Sequence, residues 1–498
     1  MRSVYSNSDA VVLKLDVKNA FNSLPRAFAA EAVAEYPRLS AFFRSRYHPE
    51  TTIRFHGVSP GSFVDLHAGD GVLQGEPSSG AIFSLTQARS VLNPVRELFP
   101  SLRIFSYHDD VYLVGNEPDV VFTAFDNVLS RYSALGMELV PSKCVALTRN
   151  LGPIQALADA RGVPVTSEGT VIVGAPVGTD AFCIRELERR AEGVEQEIDS
   201  LYNSFDRYEY DSGAAAQHYF HLIRLCLPSQ FIYSLRTSPP RHTVQITTRV
   251  DSAIRRLLYR VLALPGTPDD DTFYRDQLSL PTRYSGFNIL CLANTAAAAY
   301  AASVVGALPV IGNLDTRSHL MFRIAHGLPP PAARDEALEL LAAHPVEAPL
   351  VLTNAQMRAS RPEMAVIPWR RVAAFEPVLV PAVPMPAEPL GDSNRTDVSP
   401  IVGELFNALE EIRIRYPSRD VHDAIVPYYS LEFLSSLHES NEEALAQIRN
   451  LQGRFSDAID GTVFSALKKR ITTSHPHHLP RLNSCANNTS AAWLHAHP

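Results

Sequence analysis

The chain has 498 residues, 46% of them hydrophobic, enough to bury cores in about two to four domains rather than one. No stretch reaches the roughly 18 uninterrupted apolar residues of a membrane span, and Met1-Arg2-Ser3-Val4-Tyr5 lacks the apolar run of a secretory signal, so an intracellular chain, cytoplasmic or nuclear, with no membrane partner is expected. The net charge of −8 argues against a surface that is basic all over, because Lys and Arg supply most of the non-specific affinity for a polyanion, but it is compatible with a basic groove confined to one region.

Residues 1–178 alternate short β-like runs with helical ones, and from 181 onward the pattern is mostly helical. Ala10 to Asp16 has the composition of a buried strand, and Pro25 to Tyr36 the spacing of a helix. Thr51 to Phe55 and Ser62 to His67, separated by Gly57-Val58-Ser59-Pro60-Gly61, predict a hairpin. Gly80 to Phe99 predicts one helix closing at Pro100; Leu102 to Tyr107 and Val111 to Val114 predict two strands with His108, Asp109 and Asp110 in the turn between them.

Further on, apolar residues recur at helical spacing over Arg185 to Leu201, Ala214 to Leu225 and Thr243 to Leu262, punctuated by Pro228, Pro239, Pro240 and Pro265. The prolines at 362, 368, 377, 381, 384, 386, 389 and 400 break every helix over 361–400 and predict a linker. Helical spacing resumes over 401–472, and 473–498 is a polar tail. In that tail His475, His477, His478, His495 and His497 with Cys485 could hold zinc, although a polar unstructured tail has the same composition. The five cysteines, Cys144, Cys183, Cys226, Cys291 and Cys485, are far apart with no Cys-x-x-Cys pair, so neither a disulfide framework nor a cysteine zinc site is suggested and reduced, mostly buried thiols are expected.

Three places carry chemistry. Asp16 ends a hydrophobic strand, where the core would hold its carboxylate rigidly, although a strand-end Asp is also a common cap or turn former. Tyr107-His108-Asp109-Asp110 puts adjacent acids at a hairpin tip, which repel unless solvent or a cation relieves them. Gly71 to Gly80, with Gln74-Gly75-Glu76-Pro77-Ser78-Ser79, is a turn entering a helix, where glycine lets a backbone approach a flat ligand; it is equally a proline-started helix N-terminus. Two Mg²⁺ ions roughly 3.5 to 4 Å apart need hard oxygen ligands converging from different segments, and Asp16, Asp109 and Asp110 would supply them.

The succession Asp16-x-x-x-Ala20-Phe21, Gln74-Gly75-x-Pro77-Ser78-Ser79, Tyr107-x-Asp109-Asp110, Leu135-Gly136-Met137-Glu138-Leu139 through Lys143, and Val173 to Gly178 resembles the reverse transcriptase family in order and separation across residues 11–178. The resemblance is closest to the enzymes of non-LTR retrotransposons, and Leu280-Pro281 with Ser285-Gly286-Phe287 fits their helical modules after the palm. It implies an α+β polymerase palm, an antiparallel sheet with packed helices, over 1–178, then an all-α thumb over 179–300 and helical accessory regions over 301–360 and 401–472. It implies an RNA template, a DNA primer and dNTPs as partners, and two Mg²⁺ ions, with Mn²⁺ able to substitute. Asp16, Asp109 and Asp110 would bind the metals, and Phe21 would be the steric gate under the incoming sugar. Gln74 and Gly75 would contact nucleotide and template, Tyr107 would line the substrate site, Lys143 would offer a proton to pyrophosphate, and Val173 to Gly178 would contact the primer end.

Two departures matter. Glu76 stands where Asp is commoner and keeps the charge, whereas the short stretch before Asp16 offers only Arg2 and Lys14, so the family's N-terminal fingers, whose basic residues grip the triphosphate, are expected to be lacking. A chain without them should bind primer–template weakly and extend it slowly. Two other readings stand beside this one: a palm kept as a non-catalytic RNA-binding protein, and an RNA-dependent RNA polymerase, which Phe21 opposes.

Overall fold

The computed structural model describes residues 9–48, 52–57, 61–67, 69–205, 212–264, 272–314, 400–438 and 441–474. The expected linker, most of the accessory stretch 301–360 and the His-rich tail lie outside the described residues, apart from the helical ends that border them. The chain divides into two compact units, Met1–Cys183 and Ile184–Pro498.

In the first unit β1 (Val11–Leu15) is followed by α1 (Arg26–Val33) and α2 (Pro37–Arg46). The predicted helix over 25–36 stops early because Pro37 disfavours helical geometry at Tyr36, and it then starts α2 itself. A two-stranded ribbon, β2 (Thr52–His56) with β3 (Phe63–His67), precedes α3 (Ser79–Gln87). The single helix predicted over 80–99 is divided into α3, a π turn at Ala88–Leu92 and α4 (Asn93–Leu98). Pro94 cannot donate the next helical hydrogen bond, and the wider turn before it takes up the misfit.

Next come β4 (Arg103–Tyr107), β5 (Asp110–Gly115), α5 (Pro118–Ala134), β6 (Val145–Leu147), α6 (Gly152–Asp159), β7 (Val165–Thr166) and the hairpin β8 (Gly169–Ile172) with β9 (Ala175–Gly178). The main sheet has five strands in the order β4-β5-β1-β6-β7. It is mixed rather than wholly antiparallel as expected: β6 and β7 run parallel because α6 carries the chain back between them.

Strand β1 is covered on both faces, which is why it reads as a continuous apolar run. Val11, Leu13 and Leu15 pack with Val111 and Leu113 under α1, α3 and α5, a cluster that includes Phe83, Phe122, Phe125 and Tyr132. Val12 faces the other way, with Tyr112, Val114 and Leu147, against Ile172 and Val177 of the β8–β9 hairpin. Each fully buried Val or Leu there contributes about 1.5 to 3 kcal/mol.

The second unit is helical. Its elements are α7 (Asp180–Ser204, beginning just before the boundary), α8 (Ser212–Leu225), α9 (Ser229–Thr237), α10 (Pro240–Val261), α11 (Thr272–Ser279), α12 (Leu292–Leu314), α13 (Pro400–Arg415), α14 (Arg419–Ile425), α15 (Leu431–His438), α16 (Glu442–Gln447) and α17 (Leu451–Ser474). Helix α12 runs through residue 300 and serves two cores, with Ala296 and Ala299 in one and Ala297, Ala301 and Val305 in the other. It is long and apolar enough to cross a membrane, but 67% of its Leu292–Val310 window is buried among its neighbours, as befits a core helix. Its N-terminus is capped from α10: the buried Asp251 carboxylate accepts the backbone N–H of Leu292 and of Ala293, both at 2.9 Å. Of the cysteines in described positions, Cys144 and Cys183 are buried, Cys226 is exposed and Cys291 lies between.

Asp460 on α17 is one of the groups that tie this unit to pH, with Asp251 and Glu411, whose carboxyls burial also raises. Burial pushes the Asp460 carboxyl up to about 7, partly offset by Arg283, whose Nη2 is 3.9 Å away, and reinforced by Asp457. An acid whose folded value is raised holds a proton that the unfolded chain has released, so its contribution is complete below about pH 4 and is lost as pH rises towards 7. Asp460→Asn should therefore melt with the wild type near pH 4 and above it at pH 8; parallel melting curves at every pH would contradict this.

Candidate active site

The site is assembled by strand register. Strand β1 pairs antiparallel with β5 from Val11↔Gly115 to Leu15↔Val111, and Asp16 and Asp110 are the residues that follow the last rung on the two strands. Alternation places both residues on the Val12–Tyr112 face, away from the helix-covered core. Asp16 is held on the other side too, because its carbonyl accepts the Val140 N–H at 3.0 Å and Val17 bridges to Leu139.

The hairpin is tighter than its sequence suggests. Tyr107 pairs with Asp110, so Asp110 is the first residue of β5 and only His108 and Asp109 form the turn. His108 adopts φ 53°, the left-handed value that such short turns require. Its ring lies over Gly80 at the start of α3, edge-on to Tyr107 at 4.6 Å and tilted to Phe21 at 6.0 Å. Phe21 in turn stacks on Phe83 at 4.8 Å. Phe21 is therefore half-buried in an aromatic row, and Tyr107 is 59% exposed at its outer end.

Lys14, one of the two basic residues before Asp16, stands beside Asp110, a placement not among those expected from the sequence. Lys14 Nζ lies 3.8 Å from Asp110 Oδ1 and donates to the Val171 carbonyl at 3.1 Å, joining the β5 end of the site to the β8–β9 hairpin. Its signal was present in the sequence, as a lone charge at an even position in an apolar strand, with the same facing as Asp16.

Gln74 and Gly75 are exposed on the turn before α3, with Gly75 at φ 88° and nothing within 4 Å of where a Cβ would stand. Lys143 ends a 3-10 turn, Pro141–Lys143, with its side chain exposed. Val173 to Gly178 forms the tip and return strand of the β8–β9 hairpin, packed by Val177 over β1.

A divalent cation suits this donor set by chemistry, since Asp16 and Asp110 offer hard oxygens from two rigid segments and Asp109 adjoins them on the turn. Among the described residues no three His, Cys, Asp or Glu side chains, Asp16, Asp109 and Asp110 included, are gathered closely enough to hold a metal ion. Lys14 is the positive charge beside Asp110.

The contact between His108 and Gly80 fixes the hairpin tip against α3. A Cβ at residue 80 would stand 2.6 Å from His108 Cε1, too close for any real pair. Gly80→Ala should cost about 1 to 3 kcal/mol in denaturant unfolding, and His108→Ala on top of it should recover most of that loss. Simple additivity of the two substitutions would show that the ring and the glycine are not in contact.

No curated protein matches the chain. Residues 3–176, the stretch that carries Asp16, the Gln74–Gly75 turn and the Asp109–Asp110 hairpin, match the family model for the reverse transcriptase (RNA-dependent DNA polymerase), and that match supports a reverse transcriptase domain in this part of the chain.

Proposed function

We propose that the chain is an RNA-directed DNA polymerase of a retroelement of the non-LTR type, adding deoxynucleotides to a primer 3′-hydroxyl on an RNA template. The observation that supports this reading is that Asp16 and Asp110 directly follow the last rung of the β1–β5 ladder, within the stretch matched by the reverse transcriptase family model. Divalent cations, Mg²⁺ or Mn²⁺, held by Asp16, Asp110 and the adjoining Asp109, would activate the attacking hydroxyl and neutralise charge on the departing pyrophosphate.

The protein's own residues account for selection and placement. The Phe21 ring, backed by Phe83, makes a flat floor under the incoming sugar that excludes a 2′-hydroxyl. Gln74 presents a side-chain amide and Gly75 a bare backbone to the nucleotide and its template base. The exposed Lys143 ammonium would protonate the leaving pyrophosphate. The β8–β9 hairpin would hold the primer end, and Lys14 ties its Val171 carbonyl to the strand that bears Asp16.

Primer extension on an RNA template tests the reading. Asp110→Asn should lower extension by about a hundredfold or more, and Phe21→Val should raise ribonucleotide incorporation relative to deoxynucleotide incorporation. RNA binding without extension in Mg²⁺ or Mn²⁺, unaltered by Asp109→Ala, would replace the polymerase with a non-catalytic RNA-binding palm.

A further inference from the structure

Tyr47, the residue that closes α2, belongs to none of the motifs, yet it is buried and its hydroxyl is the meeting point of three groups from the Leu73–Ser79 segment. The Leu73 N–H reaches it at 3.1 Å, Ser79 Oγ lies 2.9 Å away, and the Glu76 carboxylate is hydrogen-bonded to it. A phenol has one proton and an ionised carboxylate can only accept. The proton therefore points to Glu76, and the Leu73 N–H and the Ser79 hydroxyl donate to the phenol oxygen. Burial, then the bond to Glu76, raises the phenol's pKa, so the donor keeps its proton throughout the working range.

The surroundings hold both flanks of the turn. Arg26 lies over the Tyr47 ring at 5.2 Å and its Nε donates to the Gly71 carbonyl at 3.1 Å. Gly71 and Val72 donate to the carbonyls of Leu24 and Phe21 at 2.9 and 2.8 Å, which stitches the turn to the segment that carries Phe21. Arg46 Nε sits 3.4 Å from Glu76 Oε1. Within the Leu73–Ser79 segment Gln74, Gly75 and Pro77 are exposed, and Gln74 and Gly75 lie at the turn itself.

We propose that Tyr47 is a positioning residue for the incoming deoxynucleoside triphosphate: its hydroxyl sets the height and tilt of the Gln74–Gly75 turn above Phe21. The proposal rests on the polymerase reading. It explains why a tyrosine whose ring packs in the core beside Phe43 has its hydroxyl on the Glu76 carboxylate and the Leu73 N–H.

The test uses the full chain as wild type, Tyr47→Phe, Gln74→Ala and the double variant, with primer-extension kinetics and hydrogen exchange over the Leu73–Glu76 amides. Tyr47→Phe should raise the KM for dNTP by roughly tenfold with a smaller change in kcat, about the loss of one well-placed hydrogen bond. It should also speed exchange at Leu73. In the Gln74→Ala background the same substitution should leave KM almost unchanged, because the residue it acts through is gone. Glu76→Gln, which keeps an acceptor for the phenol, should give a milder shift in the same direction and serves if Tyr47→Phe folds poorly. A lower melting temperature with unaltered KM and unaltered exchange would overturn the proposal, as would effects that multiply in the double variant. Failure of the wild type to extend any primer would sink the polymerase reading and the nucleotide role with it, whereas faster exchange in Tyr47→Phe would still identify Tyr47 as the holder of the turn.

Discussion

The antiparallel pairing of β1 with β5 is the constraint on which the site depends. Five rungs between Val11↔Gly115 and Leu15↔Val111 fix where Asp16 falls, and the apolar residues on both faces of β1 make that register costly to change. A slip of one residue would turn Leu13 and Leu15 away from the helix-covered core and send Asp16 into it. The two-residue turn at His108 and Asp109 does the same for the partner strand, since a longer loop would move Asp110 off the start of β5. The positions of the two acids in the chain fold are thus set by hydrophobic burial of the strands they follow.

The cost of that arrangement is electrostatic, and the surroundings answer it. Adjacent carboxylates on a low-dielectric sheet face repel, and Lys14 supplies the nearest positive charge at 3.8 Å from Asp110. The same ammonium donates to the Val171 carbonyl, so the charge that relieves Asp110 also fastens the β8–β9 hairpin to the central strand. Across the site the aromatic row Phe83, Phe21, His108 and Tyr107 joins α3 to the hairpin tip. The opposite flank depends on Tyr47 and Arg26, which hold the turn bearing Gln74.

The parts of this arrangement that follow from local chemistry were legible in the sequence. The apolar run before Asp16, the paired acids between β-like runs and the glycine-bracketed turn before α3 each have a short-range signature, and β1 to β5 lie within a residue or two of their predicted limits. Features set by tertiary contact were not legible. The parallel β6–β7 pair depends on a crossover whose partner strand, Val165–Thr166, is only two residues long. The π turn at Ala88–Leu92 arises from a proline inside an otherwise regular helical pattern. Tyr47 and Lys14 lie outside every motif, and their roles come from partners 26 to 157 residues away in sequence. Nor does spacing alone fix whether Asp110 belongs to the turn or to the strand; that follows from the left-handed backbone at His108.

The central claim is that Asp16 and the Asp109–Asp110 hairpin converge on one divalent cation. Localised backbone cleavage tests it without requiring turnover: Fe²⁺ is allowed to occupy the Mg²⁺ site, peroxide is added, and the cut sites are mapped by mass spectrometry. The account predicts cuts near residue 16 and near residues 109–110, both suppressed by excess Mg²⁺ and both lost in Asp16→Asn. Cuts at only one of these segments, or at neither, would contradict it.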